Sequence, residues 1–368
     1  GNYNTALGYN ALSTEDAHGS NTAIGYQALT TLDAGIEGYN VAVGYNAGQD
    51  MSTGQRNTLV GTASGANLTT GIRNVAIGYE ALAAEDGHGY NVAIGYAALK
   101  TQNAGADAYN TAVGHQAGTA VTTGIKNILL GGKAGLALTT GSNNIAIGHG
   151  ALQTEDAHGR NVAIGDGALY YLNAGIEGQN VAIGYVAGTS MTTGIYNNLI
   201  GGECGDALTS GSRNIAIGFR ALGAEDAHGR NIAIGYNALT AQDAGADAYN
   251  VAVGYDVGKS VTTGVNNTII GGFAGDALTT GENNVAIGRS ALSTEDSYGY
   301  NVAVGTYALL NQNAGDNAYN TAVGYGAGEN VTTGVRNTIM GGLAGDAFTT
   351  GSDNVVMGYA ALSNPNAG

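Results

Sequence analysis

The residues best placed for chemistry form a recurring Glu-Asp-x-His cluster. It reads Glu15-Asp16-Ala17-His18, Glu85-Asp86-Gly87-His88, Glu155-Asp156-Ala157-His158 and Glu225-Asp226-Ala227-His228. A fifth copy, Glu295-Asp296-Ser297-Tyr298, replaces the imidazole with a phenol. Carboxylates take hard cations such as Ca2+, and an adjacent imidazole favours a transition metal. An acid–base pair is the other chemistry on offer, but it needs a tuned pKa that an exposed turn does not provide. One copy supplies few ligands, and successive copies are too far apart to pool theirs. The expectation is therefore a solvated acidic turn with no cofactor and no catalysis. The competing reading, a Ca2+ or other metal site, attaches to Glu15, Asp16, His18, Glu155, Asp156 and His158.

Two stripes offer recognition instead of catalysis. Tyr9, Tyr26, Tyr45, Tyr79, Tyr96, Tyr185, Tyr236 and Tyr255 all follow a repeated glycine, as does Phe219. Such rings could hold a sugar or a protein partner, since each joins a rigid apolar body to a polar tip. Mutual stacking along a sheet edge is the plainer reading. A mixed stripe of Tyr39, Arg56, Arg73, Tyr90, Tyr109, Lys126, Arg160, Arg213 and Arg230 precedes a repeated asparagine. One cation per repeat in a chain of net charge −16 is poor support for nucleic-acid binding, and ion pairs with the acidic turns of another chain are expected. Cys204 occupies a slot that is alanine elsewhere and reads as a small core residue. Thr-Thr-Gly turns raise ice binding, but the array is interrupted. No Gly-Lys-Ser/Thr phosphate cradle is present.

The elements that position these residues follow from a repeat. Asn-x-(Ala/Leu/Ile/Val)-(Ile/Val/Leu/Met)-Gly occurs 21 times, beginning at Asn4, Asn21, Asn40, Asn57, Asn74, Asn91, Asn110, Asn127 and Asn144. The spacings cycle through 17, 19, 17 and 17 residues, giving a super-repeat of 70. Units this short cannot hold a helical hairpin, and their glycines and β-branched residues disfavour helix. The fold expected is all-β: a parallel β-solenoid or β-roll of about 21 coils, a single repetitive domain over residues 1–368. The asparagines should stack as a ladder that also caps the turns. At about 4.8 Å per coil the stack would run on the order of 100 Å.

Alternation along Asn-Val-Ala-Ile-Gly separates two faces. The fourth position is a large aliphatic (Ile24, Val43, Ile77, Ile147) and is expected to face the core, with the second position beside it. The third, alanine in most units, would then face outward against another backbone. That reasoning predicts a homotrimer. Two units of each four carry Leu eight residues after the asparagine. The other two carry Gly there and regain an apolar residue three places later (Met51, Leu68), so neighbouring coils should interdigitate.

Composition narrows the classes further. Glycine supplies 64 of 368 residues and proline one, which excludes collagen. Hydrophobic residues at 43% exclude a disordered linker. The acidic balance argues against nucleic acid and anionic lipid. One cysteine allows no internal disulfide. No apolar run reaches the length of a membrane span.

Asn144-Ile145-Ala146-Ile147-Gly148 and its counterparts resemble the head repeats of trimeric autotransporter adhesins. The longer phrase over residues 139–152 is similar to repeats of phage tail fibres. The resemblance covers nearly the whole chain and implies a trimeric parallel β-roll that serves as shaft or adhesive head. The function expected is the structural shaft or head of an extracellular, cell-surface or virion fibre, a segment of a longer protein and not an enzyme. Its partners would be copies of itself and a host-surface glycan or receptor, with no nucleic acid and no membrane insertion. The alternatives are the protomer of a self-assembling filament or sheath and, less favoured, an ice-binding solenoid.

Overall fold

The computed structural model describes residues 1–15 and 18–363. Among them all regular structure is β: 21 strands of three residues each and no helix. The chain is a parallel β-solenoid with one short strand per coil. It forms two compact units, residues 1–180 and 181–368. The first holds ten strands, from β1 (Thr5–Leu7) to β10 (Val162–Ile164). The second holds eleven, from β11 (Val181–Ile183) to β21 (Val355–Met357).

Within each unit the register never slips. Thr22 pairs with Val41 and Ala23 with Ala42, and in the second unit Ile215 pairs with Ile232 and Ala216 with Ala233. Two backbone devices hold each strand to three residues. The residue before every ladder asparagine is left-handed, with φ between 49° and 64°, although it is often Tyr or Arg. That conformation costs a non-glycine residue about 1–2 kcal/mol and persists only where neighbours fix it. The neighbours do so here: Arg56 N–H donates to the Gly38 carbonyl at 2.8 Å, and Arg73 N–H to Gln55 at 3.0 Å. At the other end stands a glycine such as Gly25, with φ of 137°. A Cβ there would lie 2.2 Å from the Gly44 carbonyl oxygen of the next coil, so no other residue fits.

The expected asparagine ladder is present in both units. Each side-chain oxygen accepts the backbone N–H of the next ladder asparagine, as from Asn21 to Asn4 at 2.9 Å and from Asn127 to Asn110 at 2.8 Å. The amide nitrogens reach forward instead: Asn40 Nδ2 donates to the Gly54 carbonyl and Asn57 Nδ2 to Gly71, both at 2.8 Å. The ladder therefore joins side chain to backbone more often than amide to amide. It leaves these asparagines at most 1% exposed from Asn21 onward through Asn144.

The assignment of the strand faces is reversed from expectation. The third position is the buried one: Ala23, Ala42, Ala76 and Leu59 are all fully inaccessible. The second and fourth positions, including Ile24, Val43, Ile77 and Ile147, are only half-buried and face outward. The reason is space. A coil encloses a thin interior that Leu29, Leu82 and Met51 already fill in their coils, so only a methyl fits on the strand opposite them. The alanines are the solenoid's own core wall, and they carry no argument for a trimer.

The interdigitation expected from the Leu/Gly exchange holds. A Cβ on Gly48 would lie 2.7 Å from Leu59 Cδ1 and 2.9 Å from Leu29 Cδ2. A Cβ on Gly65 would lie 2.9 Å from Leu59 Cδ2. The coils that give up Leu at this slot thus make room for Leu59, the one large residue at the third strand position in that super-repeat.

Candidate functional site

The Glu-Asp-x-His corner is solvated only in part, because aspartates such as Asp86 and Asp226 are exposed and the glutamates are not. Its glutamate lies eleven residues after the ladder asparagine, in the inward slot that Met51 and Leu68 occupy in other coils. Glu85, Glu155, Glu225 and Glu295 are fully buried. One oxygen closes the turn: Glu85 Oε1 accepts the His88 backbone N–H at 3.1 Å, and the equivalent bonds are 3.0 Å at Glu155–His158 and Glu225–His228. The imidazole folds back over the same carboxylate, with Nδ1 3.4 Å from Oε1 at His88 and His158 and 3.8 Å at His228.

Burial pushes the carboxyls of Glu85, Glu155 and Glu225 above the ordinary carboxylate range, against the lowering effect of the backbone N–H bonds. At Glu295, where Tyr298 replaces histidine, burial pushes the carboxyl up to about 7. The tuning that an exposed turn was expected to lack is therefore present. The second oxygens of Glu15, Glu85, Glu225 and Glu295 have no hydrogen-bond partner among the described residues, whereas Glu155 Oε2 accepts the Ala174 N–H at 3.3 Å.

The structure also brings in a residue that reading one copy at a time had missed. Glu225, Asp226 and His228 are joined by Asp243 of the next coil, with one donor atom from each lying within 4.8 Å of the others. Asp33 likewise joins Glu15 and His18. Asp16 lies outside the described residues. Glu155, Asp156 and His158 form a three-residue group, as do Glu85, Asp86 and His88. The signal was in the register: Asp226 and Asp243 each stand twelve residues after their ladder asparagines, Asn214 and Asn231, so they stack.

The aromatic stripe stacks on itself. Tyr9 lies on Tyr26 and Tyr26 on Tyr45, with centroids 5.2 and 5.0 Å apart. Tyr79, Tyr96 and His115 make a second stack and Phe219, Tyr236 and Tyr255 a third. The stacked rings stay partly exposed, with Tyr9 65% and Tyr45 53% accessible. Several residues of the mixed stripe have partners within the chain. Arg73 lies over the Tyr90 ring, Arg230 pairs with Asp247 at 2.7 Å, and Arg160 lies 3.7 Å from Glu177.

Cys204 is buried, and its thiol donates to the Ala216 carbonyl. Threonines of the Thr-Thr-Gly turns bond to the backbone of the next coil, as Thr139 Oγ1 does to the Asp156 carbonyl at 2.7 Å. Surface depressions lie around Asn311, Asn330 and Asp346 and around Asn67, Glu80 and Lys100, and neither is lined by His or Cys. No helix among the described residues is long and apolar enough to cross a membrane. Compared with known proteins, the chain matches no protein family, no curated protein and no solved structure.

Proposed function

We propose that the chain is the structural shaft or head of an extracellular or virion fibre, supplying reach and rigidity for attachment. The observation that carries this is the junction between coils within each unit. Every coil meets the next through the same in-register strand pair, the same buried asparagine bond and the same backbone contact at glycine, with no inserted loop to form a substrate cleft. Such a chain is suited to bearing tension and resisting proteases. The exposed parts of the stacked tyrosines suit contact with sugar rings or a receptor surface.

The same reading includes self-association, now on the outer sheet face. No second or fourth strand position is charged, and Val41, Ile128, Ile200 and Ile270 stay 36–40% exposed. In a chain of net charge −16, an uncharged face of aliphatic and threonine side chains is where like copies can approach. Light scattering coupled to size exclusion tests it. A mass three times that of the chain supports the homotrimeric fibre, and a clean monomer removes it. Ordered filaments in a pelleting assay would favour the sheath protomer instead. Binding to glycans or cells that is lost in a Tyr9→Ala, Tyr26→Ala, Tyr45→Ala variant would place attachment on this segment.

A further inference from the structure

We propose that the corner formed by Glu225, Asp226, His228 and Asp243 is a binding site for a divalent transition-metal ion of the zinc class. Three carboxylates and one imidazole present donor atoms within 4.8 Å of one another. Among the described residues none of these carboxylates is paired with Lys or Arg, so the cluster concentrates negative charge without an internal cation.

A second observation is independent of the acidic composition. Glu225 is fully buried, yet among the described residues its Oε2 has no hydrogen-bond partner. His228 Nδ1 is also covered and also without a partner, and it faces the Glu225 carboxylate at 3.8 Å. Glu225 thus keeps a buried, unpartnered oxygen beside an imidazole whose Nδ1 lies 3.8 Å from the other carboxylate oxygen, and a bound cation would satisfy it. The backbone fixes both, because Glu225 Oε1 is already tied to the His228 N–H at 3.0 Å. Asp226 and Asp243 are exposed and free to close over an ion.

The donor set selects the ion class. Ca2+ takes six to eight oxygens, whereas one imidazole nitrogen with three carboxylate oxygens matches the four-coordinate habit of Zn2+. A tetrahedral shell with bonds of about 2.1 Å has donor–donor edges of roughly 3.4 Å, so the side chains must draw in by about an ångström. The corners at Glu85 and Glu155 offer the same first three ligands.

The test is calorimetric titration of the full chain with Zn2+ near neutral pH, with Co2+ absorption as a second readout of imidazole and carboxylate ligation. Saturable binding is expected. His228→Ala should remove one equivalent, and Asp243→Asn should weaken that equivalent about tenfold, in variants whose circular dichroism is unchanged. Asp243 is exposed, so its substitution reports on the site even if His228→Ala fails to fold. The proposal is overturned if no saturable binding is seen. It also fails if binding follows substitution of the exposed His115 and His149 and not of His228, or if equimolar Ca2+ displaces the Zn2+.

Discussion

Asn110 Nδ2 donates to Gln102 Oε1 at 2.7 Å, and the bond recurs at Asn250–Gln242 and Asn320–Gln312. Two super-repeats lack it, because Leu32 and Leu172 stand in the glutamine slot. There the ladder amides bond each other instead, Asn40 to Asn21 at 3.2 Å and Asn180 to Asn161 at 3.3 Å. A second position changes in step. Gly38 and Gly178 accompany leucine, and Ala108, Ala248 and Ala318 accompany glutamine. A Cβ on Gly38 would lie 2.3 Å from Asn21 Oδ1, so the alanine forces the ladder amide beneath it aside. Asn21 Nδ2 then reaches the Gly19 carbonyl at 3.1 Å, while Asn91, Asn231 and Asn301 Nδ2 have no hydrogen-bond partner among the described residues.

These two positions should therefore be energetically coupled. Ala108→Gly combined with Gln102→Leu converts one buried polar arrangement into the other. In urea denaturation the double variant should exceed the sum of the single variants by about 1 kcal/mol, the scale of one recovered hydrogen bond. Strict additivity would refute the coupling.

Glu295 should make the fold sensitive to alkali. Its folded-state pKa of about 7 stands above the ordinary 4.5, so the native state holds the proton more tightly than the unfolded chain. The stability this group contributes is complete below about 4.5 and is lost as pH rises through about 7. Glu295→Gln keeps the Oε1 acceptor for the Tyr298 N–H and removes the charge. The variant should gain on the order of 1–3 kcal/mol over wild type at pH 8–9 and little at pH 4. A pH-independent difference in thermal midpoint would contradict this.

Val186 is a β-branched residue held at φ of 47°, where coils elsewhere place Asn10, Asn46 or Asn237. Asparagine tolerates the left-handed region far better. Val186→Asn should raise stability by about 1 kcal/mol, measured by thermal or urea unfolding of the second unit.

Cys204 should be chemically silent in the folded protein. Burial pushes its thiol up to about 12, and its proton is engaged by the Ala216 carbonyl. A thiol reagent at pH 8 should label it only after denaturant is added. Rapid labelling of the native chain would mean that this coil opens locally.

The repeat made the solenoid, its 21 coils and the asparagine ladder readable, because a strict period admits one stacking register. The facing of the strand was misread for a specific reason. Size suggested that Ile77 points inward and Ala76 outward, yet parity already grouped Ala76 with Asn74, and a buried ladder asparagine marks the inner face. Burial of Glu85 was hidden by its neighbours, since Glu-Asp-Gly-His reads as a polar turn. Only comparison with the slot holding Met51 and Leu68 points inward. Asp243 was missed as a partner of Asp226 because they are neighbours across coils, not along the chain.

The fixed order of inward residues also governs how such a gene can change length. Glutamate, leucine or glutamine, methionine or valine, and then leucine or phenylalanine follow one another in the same slot, and coils pack across their junctions, as Gly48 does against Leu29 and Leu59. Excising a single 17-residue coil would set a charged or bulky group against a neighbour shaped for something else. Unequal recombination should thus leave folded descendants mainly when it adds or removes whole blocks of 70 residues. The heritable quantum of this molecule is the block, and not the coil that builds it.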